Sequence, residues 1–135
     1  MFYITDDKEK MIPESVRRLI RQTYWASDRP LDTIAASIEN SVCFGAFDSD
    51  SGELVGFARV VTDYCTCYYL CDVIVDECRR GNGIGKALVN AITSDKRFKT
   101  LEGLLITRDA HGLYSQYGFE SRDGVFMGSG LSPAL

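Results

Sequence analysis

The chain has 135 residues, 45% hydrophobic and 25% charged, with a formal net charge of −4 and a pI near 4.9. That length suits a single domain over residues 1–135, built around one core of ordinary size. The acidic balance argues against a nucleic-acid binder, which needs a basic face. No apolar run approaches the ~20 residues of a membrane helix, and MFYITDDKEK has no signal-peptide core, so a cytoplasmic protein with neither nucleic-acid nor membrane partners is expected.

In chain order, the first helix signal follows Pro13, where Val16, Leu19, Ile20 and Tyr24 recur at helical spacing behind a proline suited to a first turn. A second helix begins near Pro30, with Leu31, Ile34, Ala35 and Ile38 on one face. Between them YWASDRP forms an aromatic and charged corner. VCFGAF (42–47) and LVGFARVVT (54–62) then read as a hairpin closed by DSDSGE. CYYLCDVIV (67–75) is a third strand, and its nearly continuous apolar run predicts cover on both faces.

An amphipathic helix follows, with Ile84, Ala87, Leu88, Ala91 and Ile92 on its stripe. GLLIT (103–107) is a buried strand. DAHGLYSQYG (109–118) is a short helix, with Asp109 suited to cap its start and Gly118 its end. Phe119 opens a last strand, VFMG (125–128) suggests another, and the tail fades into SGLSPAL. The succession is that of a mixed α/β, or α+β, domain. Cys43, Cys65, Cys67, Cys71 and Cys78 are odd in number and form no CxxC pair. Neither a disulfide framework nor a metal site is indicated, and four of them fall in strand-like runs as small apolar fillers.

The informative stretch is CRRGNGIGKAL (78–88), which places glycines at 81, 83 and 85 at a helix start, ringed by Arg79, Arg80 and Lys86. A helix start offers main-chain N–H groups without partners and a partial positive charge, so an anion is its natural ligand. The glycines let phosphate oxygens approach the amides. A Walker A loop fails, because Arg80 stands where the first glycine is needed and Ala87 follows Lys86. A dinucleotide fingerprint fails as well, since the third glycine would fall on Lys86 or Leu88.

What remains is [RQ]xxGx[GA], here Arg80, Gly83 and Gly85, directly after VIVDE and opening an amphipathic helix. This resembles the acetyl-CoA signature of the GNAT superfamily of N-acetyltransferases. AHGLYSQYGF (110–119) resembles that family's second signature through Ala110, Leu113, Tyr114, Gly118 and Phe119. The two pieces stand in the family's order, and the hairpin and paired first helices match its layout. Thr107 stands where many members carry an asparagine, seven residues before the tyrosine, which puts any cofactor contact of that amide in doubt.

The resemblance implies a mostly antiparallel sheet splayed between the family's fourth and fifth strands, here 67–75 and 103–107, and flanked by helices. It implies acetyl-CoA as donor, with the pantetheine arm against main-chain groups of Val73, Ile74 and Val75 and the diphosphate on Arg80, Gly81, Asn82, Gly83, Ile84, Gly85 and Lys86. Tyr114 matches the general acid that protonates the departing thiolate. The expected acceptor is an amine of a small molecule or peptide, walled by Tyr24, Trp25 and Arg29. Family analogy alone admits a homodimer.

Asp72, a carboxylate inside an apolar strand, must be either functional or well paired, and it is the leading candidate for the base that deprotonates the amine. Asp63 and Glu77 are weaker candidates, and His111 reads as a surface residue beside the pocket. The corner 24–32, the turn 62–67 and the C-terminal tail are the segments expected to choose the acceptor. Three other readings compete: a non-catalytic acyl-CoA-binding sensor, a fold kept only for assembly, which would not need the glycines, and a nucleotide-triphosphate enzyme, disfavoured by the failed Walker pattern.

Overall fold

The structure is a computed structural model that describes residues 1–130; the expectation placed on the C-terminal tail lies largely outside the described residues. Five strands form one sheet in the order β1 (Phe2–Thr5), β2 (Val42–Asp48), β3 (Leu54–Thr62), β4 (Cys67–Val75) and β5 (Glu102–Leu105). The first four run antiparallel to their neighbours, and β5 joins β4 in parallel. Helices α1 (Pro13–Ile20) and α2 (Leu31–Glu39) precede the hairpin, α3 (Ile84–Thr93) crosses from β4 to β5, and α4 (His111–Ser115) follows β5.

The sheet separates two apolar layers. On one face Leu88, Val89 and Ile92 of α3 pack on Ala46, Val55, Val60 and Leu70. On the other, Val16, Leu19 and Ile20 of α1 and Ile34 and Ile38 of α2 pack on Cys43, Phe57 and Ile74. A fully buried Leu or Ile of this kind contributes about 1.5–3 kcal/mol. A Cβ on Gly56 would lie 2.7 Å from a methyl of Ile84, so this glycine lets α3 settle close to β3.

Strand β4 changes phase along its length. Arg59 pairs with Cys71 and Phe57 with Ile74, so Asp72 and Val73 together oppose Ala58 alone: a β-bulge. Asp72 takes a left-handed φ of 52° to make it. Tyr68 and Leu70, before the bulge, enter the α3 layer, whereas Ile74, after it, enters the α1–α2 layer. Two alternating patterns of opposite phase thus merge into the continuous apolar run of the sequence.

Several expectations are corrected. Strand β1 was not anticipated; Phe2–Thr5 pairs with Gly45–Asp48. Helix α1 ends at Ile20, which leaves Tyr24 in the turns beyond it. Ala110 rather than Asp109 stands at the α4 cap, and its N–H is held by the Thr107 hydroxyl at 3.0 Å. No strand follows β5 among the described residues: Val125, Phe126 and Met127 are exposed at 73%, 61% and 94%, between Gly124 and Gly128, with no neighbouring strand to pair with. Cys65 lies in the exposed β3–β4 turn rather than in a strand.

Candidate active site

The β4–β5 ladder pairs Cys67–Leu70 with Glu102–Leu105 and stops there, while β4 continues to Val75. Residues 71–75 therefore have no β5 partner and present an open edge on that side. At the end of that edge a groove of about 390 Å³ is lined by Val75, Arg80, Gly81, Gly83, Ile84, Gly85, Lys86 and Leu113. It joins the end of β4, the start of α3 and the side of α4.

The loop over the groove owes its shape to its backbone. Gly81 and Gly83 have φ of 85° and 80°, a left-handed conformation that costs other residues roughly 1–2 kcal/mol. A Cβ on either would meet nothing within 4 Å, so the space above them is open, and it is the turn more than crowding that demands glycine. Gly83 is the α3 cap and brings no side-chain bond. The first helical bond runs from the Ala87 N–H to the Gly83 carbonyl, so the amides of the preceding turn have no partner inside the helix. These amides, with Arg80 and Lys86 beside them, fit a diphosphate.

Two side chains of the motif are used structurally. Asn82 Nδ2 donates to the Arg79 carbonyl at 2.8 Å, bracing the turn. Arg79 reaches Asp48 on β2 at 2.6 Å and holds that carboxyl well below the usual range, so its charge is committed away from the groove. Asp76, which went unnoticed in the sequence, ties the loop to α1: it accepts from Arg18 at 2.8 Å and from the Cys78 N–H at 3.2 Å.

Tyr114 on α4 is buried, packed edge-on against Phe119 with ring centroids 6.1 Å apart. Burial, with smaller contributions from Asp109 and Tyr24, pushes its hydroxyl up to about 12. Every fully buried side-chain oxygen and nitrogen among the described residues has a partner, and the Tyr114 hydroxyl has none, so it is not sealed in. His111 is exposed at the start of the same helix.

Asp72 is well paired. Its Oδ2 accepts from Arg29 at 2.7 Å and Arg59 at 2.9 Å, and its Oδ1 from the Trp25 indole at 3.2 Å. Burial alone would raise its pKa, but the two guanidiniums outweigh burial and hold it below the usual carboxylate range. A carboxylate so stabilised is a poor proton acceptor. Asp63 caps the β3–β4 turn, accepting from the N–H groups of Cys65 and Thr66, and Glu77 is an exposed residue of the loop before α3.

Tyr24, Trp25 and Arg29 do gather on one side of the site. Tyr24 is 41% exposed and meets Trp25 edge-on at 4.9 Å, and Arg108, from the β5–α4 loop, lies 3.9 Å over the Tyr24 ring. A chain of contacts thus runs from Asp72 through Trp25 and Tyr24 to Arg108, from β4 to the segment beyond β5. Arg59 and Arg108 were missed in the sequence. For Arg59 a signal existed, a lone cation inside LVGFARVVT matching the lone anion inside CYYLCDVIV.

Comparisons with known proteins agree with this fold. The family model described as an acetyltransferase (GNAT) domain matches residues 39–121, well over half of the chain. A GNAT-family structure from Xanthomonas campestris pv. campestris superposes with a TM-score of 0.89 at 36% identity, covering 97% of this chain and 94% of that one. The Arabidopsis thaliana protein GCN5-related N-acetyltransferase 2, chloroplastic, is 30% identical over 69% of this chain and 44% of its own length. The chain spans less than half of the curated relatives it matches. Rv2747 of Mycobacterium tuberculosis, crystallised with CoA, shares the fold with a TM-score of 0.74 at 18% identity, over 90% of this chain and 74% of that one.

Proposed function

The chain belongs to the GNAT acetyltransferase family, and from that premise we propose that it moves an acetyl group from acetyl-CoA to the amine of a small molecule or peptide, by direct attack in a ternary complex. The observation that carries the reading is the α3 start. Unpartnered main-chain donors behind two left-handed glycines face a groove that Leu113 shares, one residue before Tyr114. Bound there, acetyl-CoA supplies a thioester open to attack by an amine and a thiolate that can leave.

The residues divide the work. The amides around Gly83–Lys86, with Arg80 and Lys86, seat the diphosphate. The open edge of Val73, Ile74 and Val75 aligns the pantetheine arm as an added strand and polarises the thioester carbonyl. As the new C–N bond forms and the C–S bond breaks, the electron pair leaves on sulfur, Tyr114 Oη gives sulfur a proton, the surplus amine proton passes to water, and Tyr114 regains a proton from water. Burial holds the Tyr114 hydroxyl well above the range of an ordinary thiol, so transfer ahead of bond cleavage is uphill and the proton moves in concert with C–S cleavage. Asp72 serves as the anchor of the bulge rather than as the base.

Thermal shift of the purified protein with acetyl-CoA, CoA and ATP, followed by thiol release over an amine panel, tests the proposal. Stabilisation by both CoA species but not by ATP, with amine-dependent thiol release, is expected. Stabilisation without release for any amine would make the protein an acyl-CoA sensor.

A further inference from the structure

The acceptor side holds guanidinium N–H groups that its carboxylates do not pair. Asp72 is one carboxylate between two guanidiniums, and the side chains of Arg29 and Arg59 keep 22% and 17% of their exposure. Arg29 donates Nη1 to Asp72, and Arg59 donates Nε to Asp72 and Nη1 to Ser41; the other N–H groups of both find no acceptor among the described residues. Arg108 lies over Tyr24 and makes no ion pair among the described residues. Asp28 and Asp109, the acids beside Arg29 and Arg108 in sequence, are exposed and pair with neither.

We infer that the acceptor is an amine that also carries an anionic group, a carboxylate or a phosphate, and that Arg29, Arg59 and Arg108 receive that group at the Tyr24–Trp25 wall. The inference rests on the acetyl-transfer reading. A guanidinium presents a planar fork of donors matched to carboxylate and phosphate oxygens. A polyamine or a lysine-rich peptide would enter against like charge, whereas an amine tethered to an anion is drawn in by its anionic end.

Thiol release from acetyl-CoA, measured with matched acceptors, tests this. One arm sets amino acids against their carboxamides, and the other sets aminoalkyl phosphates against the corresponding amino alcohols. The anionic member of at least one arm should show kcat/KM about tenfold higher or more, the advantage expected of a charge-assisted bond, and the arm that responds identifies the anion. Arg108→Gln, at an exposed position that leaves Asp72 paired, should raise KM for the anionic acceptor with little change in kcat and narrow the preference. Arg29→Lys, which keeps a cation beside Asp72, should weaken it as well. Equal or better turnover of the neutral members, or a preference untouched by Arg108→Gln, overturns the inference and leaves acetyl transfer standing. Absence of thiol release with every acceptor, while acetyl-CoA stabilises the protein, removes both.

Discussion

The α3 loop and the corner between α1 and α2 are built from different materials. The loop is one continuous run, residues 80–86, whose work falls to main-chain N–H groups and two left-handed glycines. The corner is assembled from Tyr24, Trp25, Arg29, Arg59, Asp72 and Arg108, side chains drawn from segments far apart in the chain. A site made of backbone depends on conformation and tolerates most side-chain changes. A site made of side chains depends on mutual pairing, and each member is exposed to single substitutions.

The comparison can be tested first where its contrast is largest. Asp72→Ala should cost about 3–5 kcal/mol in chemical denaturation, because it strands two partly buried guanidiniums. A loss below about 1 kcal/mol would mean that the arginines find other partners. The sign with pH follows from the depressed pKa of Asp72. Its contribution is complete above the unfolded carboxylate value of about 3.9 and is lost as pH falls through the lower folded value. The difference between wild type and variant should therefore shrink on acidification below about pH 4.

Next in size is Tyr114→Phe, which bridges the two sides. Removal of a single acid should lower kcat by about a hundredfold while CoA affinity by calorimetry stays within error, since the hydroxyl has no hydrogen-bond partner among the described residues. Unchanged kcat would leave thiolate protonation to water. Gly83→Ala should act in the opposite manner. At φ of 80° an added Cβ costs roughly 1–2 kcal/mol of strain, to be read as weaker CoA binding with kcat at saturation largely kept. A variant that binds CoA normally would mean that the turn can be made without glycine there.

The same contrast decides what could be read from the chain. The loop was legible because its chemistry is local: glycine spacing, flanking charge and the apolar stripe of α3 occupy contiguous residues. The corner was legible only in fragments. Tyr24, Trp25 and Arg29 were placed together, but Asp72 stood open between a functional and a paired role, because its partners come from the α1–α2 corner and from β3, distant in sequence. The bulge hid behind a continuous apolar run for the same reason: the phase of β4 is set by its register with β3. Strand β1 is four residues long and becomes a strand by pairing with β2, whereas Val125–Met127 has strand-like residues and no strand to pair with. Helices, whose bonds close within the segment, were legible to within a few residues.

The smallest effect is the sharpest test of the material difference, because it compares two adjacent residues of one type. Arg80 lines the groove; Arg79 is turned to Asp48. Arg80→Ala should weaken CoA binding by up to about fivefold, as the loss of one solvent-exposed charge contact predicts, and the deficit should fade as salt screens the remaining charges. Arg79→Ala should leave CoA affinity unchanged and instead lift the Asp48 carboxyl back toward the ordinary range, visible in its titration by NMR. If both variants lost affinity equally, the diphosphate would be attracted by the summed charge of the loop. If neither did, the main-chain donors alone would account for the seat, and the division between a backbone-made donor side and a side-chain-made acceptor side would be sharper still.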